Sequence, residues 1–102
     1  MIFLPKLVRD KVIEKKVSEG EKPAYHIASD EEYWKMLKLK LREEAAEFAA
    51  MEKQEELADL LEVIHTIAEF KKIPFEEIEE IRLEKKKEKG GFEKKIVLEG
   101  SK

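Results

Sequence analysis

Residues Leu41–Ile67, LREEAAEFAAMEKQEELADLLEVIHTI, carry two acidic clusters set inside two helical apolar patterns. The clusters are Glu43-Glu44-x-x-Glu47 and Glu56-x-x-Asp59. Surface helices are rich in glutamate, so such clusters acquire meaning only once their faces are known. At about 100° per residue, Trp34, Leu37, Leu41, Ala45 and Phe48 form one apolar stripe. Glu44 lies roughly 40° from the centre of that stripe and Glu47 about 100°, while Glu43 points nearly away. On the second segment Leu57, Leu60, Leu61, Ile64, Ile67 and Ala68 form the stripe, with Glu56 about 50° and Asp59 about 110° from its centre in the same rotational sense. If the segments fold back as an antiparallel hairpin with stripes facing, Glu44, Glu47, Glu56 and Asp59 converge beside the seam. Solvated helix charges are the plain alternative for any one such pair. Two matched pairs at the edge of a core repel one another unless a cation sits among them. An all-oxygen cluster favours a hard ion, Mg²⁺ or Mn²⁺ in its place.

The whole chain sets the bounds. Its 102 residues suit a single domain, residues 1–102, that buries roughly two-thirds of its unfolded surface. Charged residues make up 44%, in near balance, with a net charge of −3. That balance argues against a nucleic-acid partner held by phosphate neutralisation. Cysteine is absent, which excludes disulfide and thiol chemistry and suits a cytoplasmic location. The start, MIFLPKLVRDK, is charged too early for a signal peptide, and no apolar run reaches membrane length.

Around the central hairpin, the spacing of Leu7, Val8, Val12, Ile13 and Val17 predicts a first helix over Lys6–Ser18. Within it, Arg9-Asp10-Lys11 offers a cationic pair, Arg9 and Lys11, for an anionic substrate group, with Asp10 orienting Arg9. Residues 21–28 read as a loop containing His26. Ser29 with Glu32 predicts a capping box opening the second helix, which runs to about Ala50. An aromatic at this start could stack on a base, but Trp34 belongs to the core stripe, and Tyr33 is less committed to it. A break at Met51–Gln54 separates it from a third helix over Gln54–Lys71, with His65 at the core edge. Pro74 opens a fourth helix, acidic at its start and lysine-rich at its end, whose stripe of Phe75, Ile78 and Ile81 is narrow. Gly90-Gly91 ends it, and Phe92–Leu98 is expected as a short strand or extended tail, with lysines able to meet phosphate.

The acidic pattern resembles the metal signature of the all-α nucleotide pyrophosphohydrolases, the MazG-like and phosphoribosyl-ATP pyrophosphohydrolase superfamily. Leu7-Val8-Arg9-Asp10-Lys11-Val12 is similar to the VRDK motif of a small house-cleaning branch, and Gly90-Gly91-Phe92-Glu93-Lys94 to its GGF segment. Together the three motifs span nearly the whole chain. In two respects the sequence departs from the pattern. Eight residues between Glu47 and Glu56 are fewer than usual, and Ile13 and Glu14 stand where a proline is common.

The resemblance implies an all-α fold: an antiparallel helical hairpin core completed to a four-helix-type bundle by a homodimer or higher homo-oligomer. It implies Mg²⁺-dependent cleavage of a nucleoside triphosphate between the α and β phosphates, giving the monophosphate and pyrophosphate. On that reading Glu44, Glu47, Glu56 and Asp59 hold Mg²⁺, and Glu43 or Glu44 takes a proton from the attacking water. Arg9, Lys11 and Lys40 offset charge on the phosphates. The alternatives left standing are a phosphoribosyl-ATP-like substrate and a non-catalytic helical dimerisation module.

Overall fold

A computed structural model describes residues 5–101. Among them the fold is all-α: four helices and no strand. No helix is long and apolar enough to cross a membrane. The chain packs as two compact units, one running up to Ile67 and the other from Ala68 onward.

In the first unit, α1 spans Val12–Ser18, α2 Asp30–Met51 and the greater part of α3 Gln54–Phe70. The helix expected from Lys6 therefore begins six residues later. Lys11 stands at its start with no side chain capping it, and the first turn closes through Val12 N–H to the Arg9 carbonyl at 3.1 Å. The reason is tertiary. Lys6, Leu7 and Val8 are half-buried, and Pro5, Lys6 and Leu7 line a groove with residues of α2. Packing of this kind overrides a weak local preference for helix.

The start of α2 follows from its sequence. Ser29 Oγ accepts the Glu32 N–H at 3.2 Å, and Asp30, Glu31 and Glu32 occupy the first turn, where acids complement the helix dipole. The expected reciprocal half of the box is replaced: the Glu32 carboxylate lies 2.8 Å from His26 Nε2. Helix α2 ends through Glu52 in the left-handed conformation (φ 56°), whose N–H bonds the Phe48 carbonyl at 2.8 Å. Only Glu52 and Lys53 separate α2 from α3, so the helices fold back on one another, as the pattern break predicts.

Burial along these helices follows most of the expected stripes, with Ala45, Leu57 and Leu61 as the exceptions. On α2, Leu37 is fully buried, Trp34, Leu41 and Phe48 are half-buried, and Glu44 occupies an interior position. On α3 the inward positions are Glu56, Asp59, Leu60, Val63 and Ile67, whereas Leu57 and Leu61 are each 49% exposed. Of the expected stripe, Leu60, Ile64 and Ile67 are half-buried and Ala68 is buried, and Glu56, Asp59 and Val63 extend the inward face on the carboxylate side. Of the acids along the seam, Glu44 is buried, Glu43, Glu56 and Asp59 are half-buried, and Glu47 is exposed.

In the second unit, Pro74 precedes α4 (Phe75–Lys89). Glu76 and Glu77 lie in its first turn, Lys86, Lys87 and Lys89 in its last, and Gly90 (φ 84°) ends it. No α4 residue is buried, in keeping with its thin apolar stripe. Beyond it no strand forms among the described residues, and Phe92, Ile96, Val97 and Leu98 are strongly exposed.

Candidate metal centre

Five carboxylates from the α2–α3 hairpin come together. They form two triplets, Glu43/Glu44/Glu47 and Glu44/Glu56/Asp59, in each of which one oxygen per residue lies within 4.8 Å of the others. Helical periodicity brings Glu43, Glu44 and Glu47 onto adjoining positions of α2, and Glu56 with Asp59 onto one side of α3. Glu44 belongs to both triplets and joins the two helices. At such separations two like charges repel by on the order of 3 kcal/mol at an effective dielectric of about 20.

Two cations reach the cluster. Lys40 Nζ lies 3.3 Å from Glu44 Oε1 and 3.6 Å from Glu43 Oε2, with its side chain only 17% exposed. Arg9 Nη2 donates to Asp59 Oδ1 at 2.8 Å, joining the segment before α1 to α3. Both members of that pair are well exposed, so it adds less than about 1 kcal/mol to stability. Its weight is electrostatic.

Five carboxylates against two cations leave the site strongly electronegative, and the side chains record it. The Glu47 carboxyl is held above the ordinary carboxylate range. Partial loss of water contributes most, followed by the charge of Glu44, a hydrogen bond with Glu44, and the charges of Glu43 and Glu56. More telling is Glu44, which is 6% exposed and whose Oε2 is buried with no hydrogen-bond partner among the described residues. A buried charged oxygen left unpaired is strongly unfavourable. All the donors are hard oxygens, so the site fits a hard divalent ion, which Glu44 could hold with Glu56 and Asp59 on one side and with Glu47 on the other.

The residues singled out in the sequence distribute unevenly. Glu43, Glu44, Glu47, Glu56 and Asp59 gather. Arg9 does approach the cluster, but its ion pair is with Asp59 and not with Asp10. Lys40 binds Glu43 and Glu44, a pairing its i,i+3 and i,i+4 spacing makes readable from the sequence. Lys11 is exposed at the start of α1, and among the described residues it pairs with none of the five acids. His26 is engaged by Glu32, apart from the cluster. Trp34 is half-buried, with Lys38 Nζ 5.3 Å from its ring centroid.

One feature is missing from the sequence reading. A groove of about 520 Å³ runs beside the cluster, walled by Leu7, Met36, Leu39, Ala46 and Ala50 and edged by Glu43 and Glu47. Its signal was a second apolar row on α2, at 36, 39, 46 and 50, which recurs at helical spacing on the side away from Leu37. No protein-family model, curated protein or solved structure matches this chain.

Proposed function

We propose that the chain is a Mg²⁺-dependent nucleoside triphosphate pyrophosphohydrolase of the MazG-like kind, cleaving between the α and β phosphates to release a nucleoside monophosphate and pyrophosphate. Clearing non-standard nucleotides in the cytoplasm is the corresponding biological role. The observation that carries this reading is the carboxylate cluster built around Glu44, with a buried oxygen that has no hydrogen-bond partner among the described residues. Such a site calls for a divalent ion, and triphosphates are natural partners of hard ions held by a few carboxylates.

Bound there, Mg²⁺ would supply a water of lowered pKa and neutralise phosphate charge. The chain's own residues divide the remaining work. Glu44, Glu47, Glu56 and Asp59 hold the ion. Glu43, on the flank, is placed to take the proton of the attacking water. Arg9 turns from Asp59 to the leaving pyrophosphate and offsets its charge, with Lys11 as the next cation along the same segment. Lys40 keeps Glu43 and Glu44 in position.

Asp59→Asn tests the assignment, because it keeps the shape and removes a ligand charge. Pyrophosphate release from a panel of nucleoside triphosphates should require Mg²⁺ in the wild-type chain and be lost in the variant, with helical content unchanged. Wild-type turnover in Asp59→Asn would refute the ligand set. Phosphoribosyl-ATP belongs in the same panel as the alternative substrate.

A second reading, a non-catalytic helical dimerisation module, draws on the exposed Leu57 and Leu61. It predicts association without Mg²⁺-dependent thermal stabilisation and without turnover. The two readings share the homodimer, in which those leucines are covered.

A further inference from the structure

The segment after α4 carries its apolar residues in the open. Phe92 is 97% exposed, Ile96 and Val97 are each 80% and Leu98 is 82%. Three consecutive aliphatic side chains at that exposure are more than the scattered single residues of an ordinary surface, and they mark a contact. Residues 96–101 form neither helix nor strand. Drawn out in an extended conformation, residues 95–98 span about 10 Å, with Ile96 and Leu98 on one face and Val97 on the other. Such a run, apolar on both faces, calls for cover on both.

The groove beside the carboxylate cluster has two apolar walls. Met36, Leu39, Ala46 and Ala50 come from α2, and Pro5 and Leu7 from the segment before α1. Its charge is graded along α2: Met36 and Leu39 come first, and the acids Glu43 and Glu47 follow. Met36 and Glu43 lie about 10 Å apart along the helix. The segment after α4 has the complementary order over the same length, Lys94 and Lys95 and then the aliphatic run. Residues 85–102 hold seven lysines and three glutamates, a net +4 in a chain of −3, so the remainder carries −7. The cluster itself sets five carboxylates against two cations, so further positive charge is favoured at its edge.

We propose that this groove receives residues 94–98 of a second copy of the chain, laid antiparallel to α2. Lys95 then lies beside Glu43 and Lys94 towards Glu47, while Ile96, Val97 and Leu98 fill the space between Leu39, Met36 and Leu7. The partner copy thereby supplies two cations to the carboxylate edge, whether or not the site hydrolyses a nucleotide. Apolar contact provides the hold and the opposite charges fix the direction.

The test exploits the absence of cysteine from the natural chain. Met36→Cys and Leu98→Cys are made in separate full-length chains, mixed in equal amounts and oxidised. A disulfide forms only where the Cα atoms come within about 7 Å. The expected product is a covalent dimer of the two variants, in excess over dimers of either with itself. Ile96→Ser with Val97→Ser, added to the Leu98→Cys chain, should abolish that product. These positions are exposed, so the helices should survive the change, which circular dichroism checks. Lys94→Glu with Lys95→Glu should weaken the dimer most at low salt.

A single chain bearing both cysteines that links to itself at high dilution would overturn the assignment. So would an excess of self-linked Met36→Cys chains, which would set groove against groove. A mixed product untouched by the two serines, or no mixed product at all, would do the same. Pyrophosphate release bears on none of these outcomes, so the contact and the hydrolase stand or fall separately.

Discussion

Glu47 shows how the acidic cluster acts on a single side chain. Its carboxyl is held above the ordinary range by lost water and by Glu44, Glu43 and Glu56. A group whose folded pKa exceeds its unfolded value stabilises the fold at pH below the ordinary carboxylate value, and that contribution is lost as pH rises through the raised one. In EDTA, therefore, Glu47→Gln should melt higher than wild type at pH 7, and the advantage should shrink as pH falls towards 4. With excess Mg²⁺ the order should reverse, since wild type alone keeps the full ligand set. Thermal melts across that pH range, with and without the ion, check both signs. An Mg²⁺-loaded variant as stable as the loaded wild type would mean that Glu47 takes no part in holding the ion.

At the scale of the element, the connection between α2 and α3 turns the chain with neither Gly nor Pro. Its position was legible from the interruption of the apolar pattern, but its geometry was not. Glu52 sits at φ 56°, where a side chain costs on the order of 1 kcal/mol. Glycine carries no such penalty at a helix end. Glu52→Gly should therefore stabilise the chain by about 1 kcal/mol, visible as a rise of roughly 4 °C in Tm. An unchanged or lower Tm would show that the Glu52 side chain makes compensating contacts.

The other elements show where periodicity succeeds and where it fails. Ser29, Pro74 and Gly90 mark helix ends by local chemistry, and the structure uses all three. The residues before α1 follow helical spacing yet do not form helix, because Pro5, Lys6 and Leu7 lie against α2. Periodicity puts Leu60, Ile64, Ile67 and Ala68 of α3 inward, as the structure has them, but also Leu57 and Leu61, which are half-exposed, and it passes over Val63, which is buried. The stripe is broad enough to serve two contacts, and no pattern in one chain tells which contact is its own hairpin.

Across the first unit, that divided allegiance has an expected outcome in solution. Leu57 and Leu61 lie on one face of α3, four residues apart, and each is half-exposed. Exposed leucines in register on a helix are the usual material of a helix–helix seam. Leu57→Lys with Leu61→Lys should shift sedimentation of the full chain towards monomer while leaving the carboxylate cluster in place. A wild-type chain that sediments as a monomer at all concentrations would remove the homodimer. The candidate site was more legible than its surroundings, because acids at fixed helical spacing announce themselves in one dimension. A groove whose walls come from residue 7 as well as residue 50 does not.

The unsatisfied oxygen of Glu44 has a consequence beyond chemistry. On the proposed reading, a divalent ion held at Glu44 would strengthen the fold in proportion to how well that ion is supplied. If that ion is the proposed Mg²⁺, the chain in a magnesium-starved cell would open more often and be cleared sooner by proteases. Its abundance would then report nutritional state with no dedicated regulator.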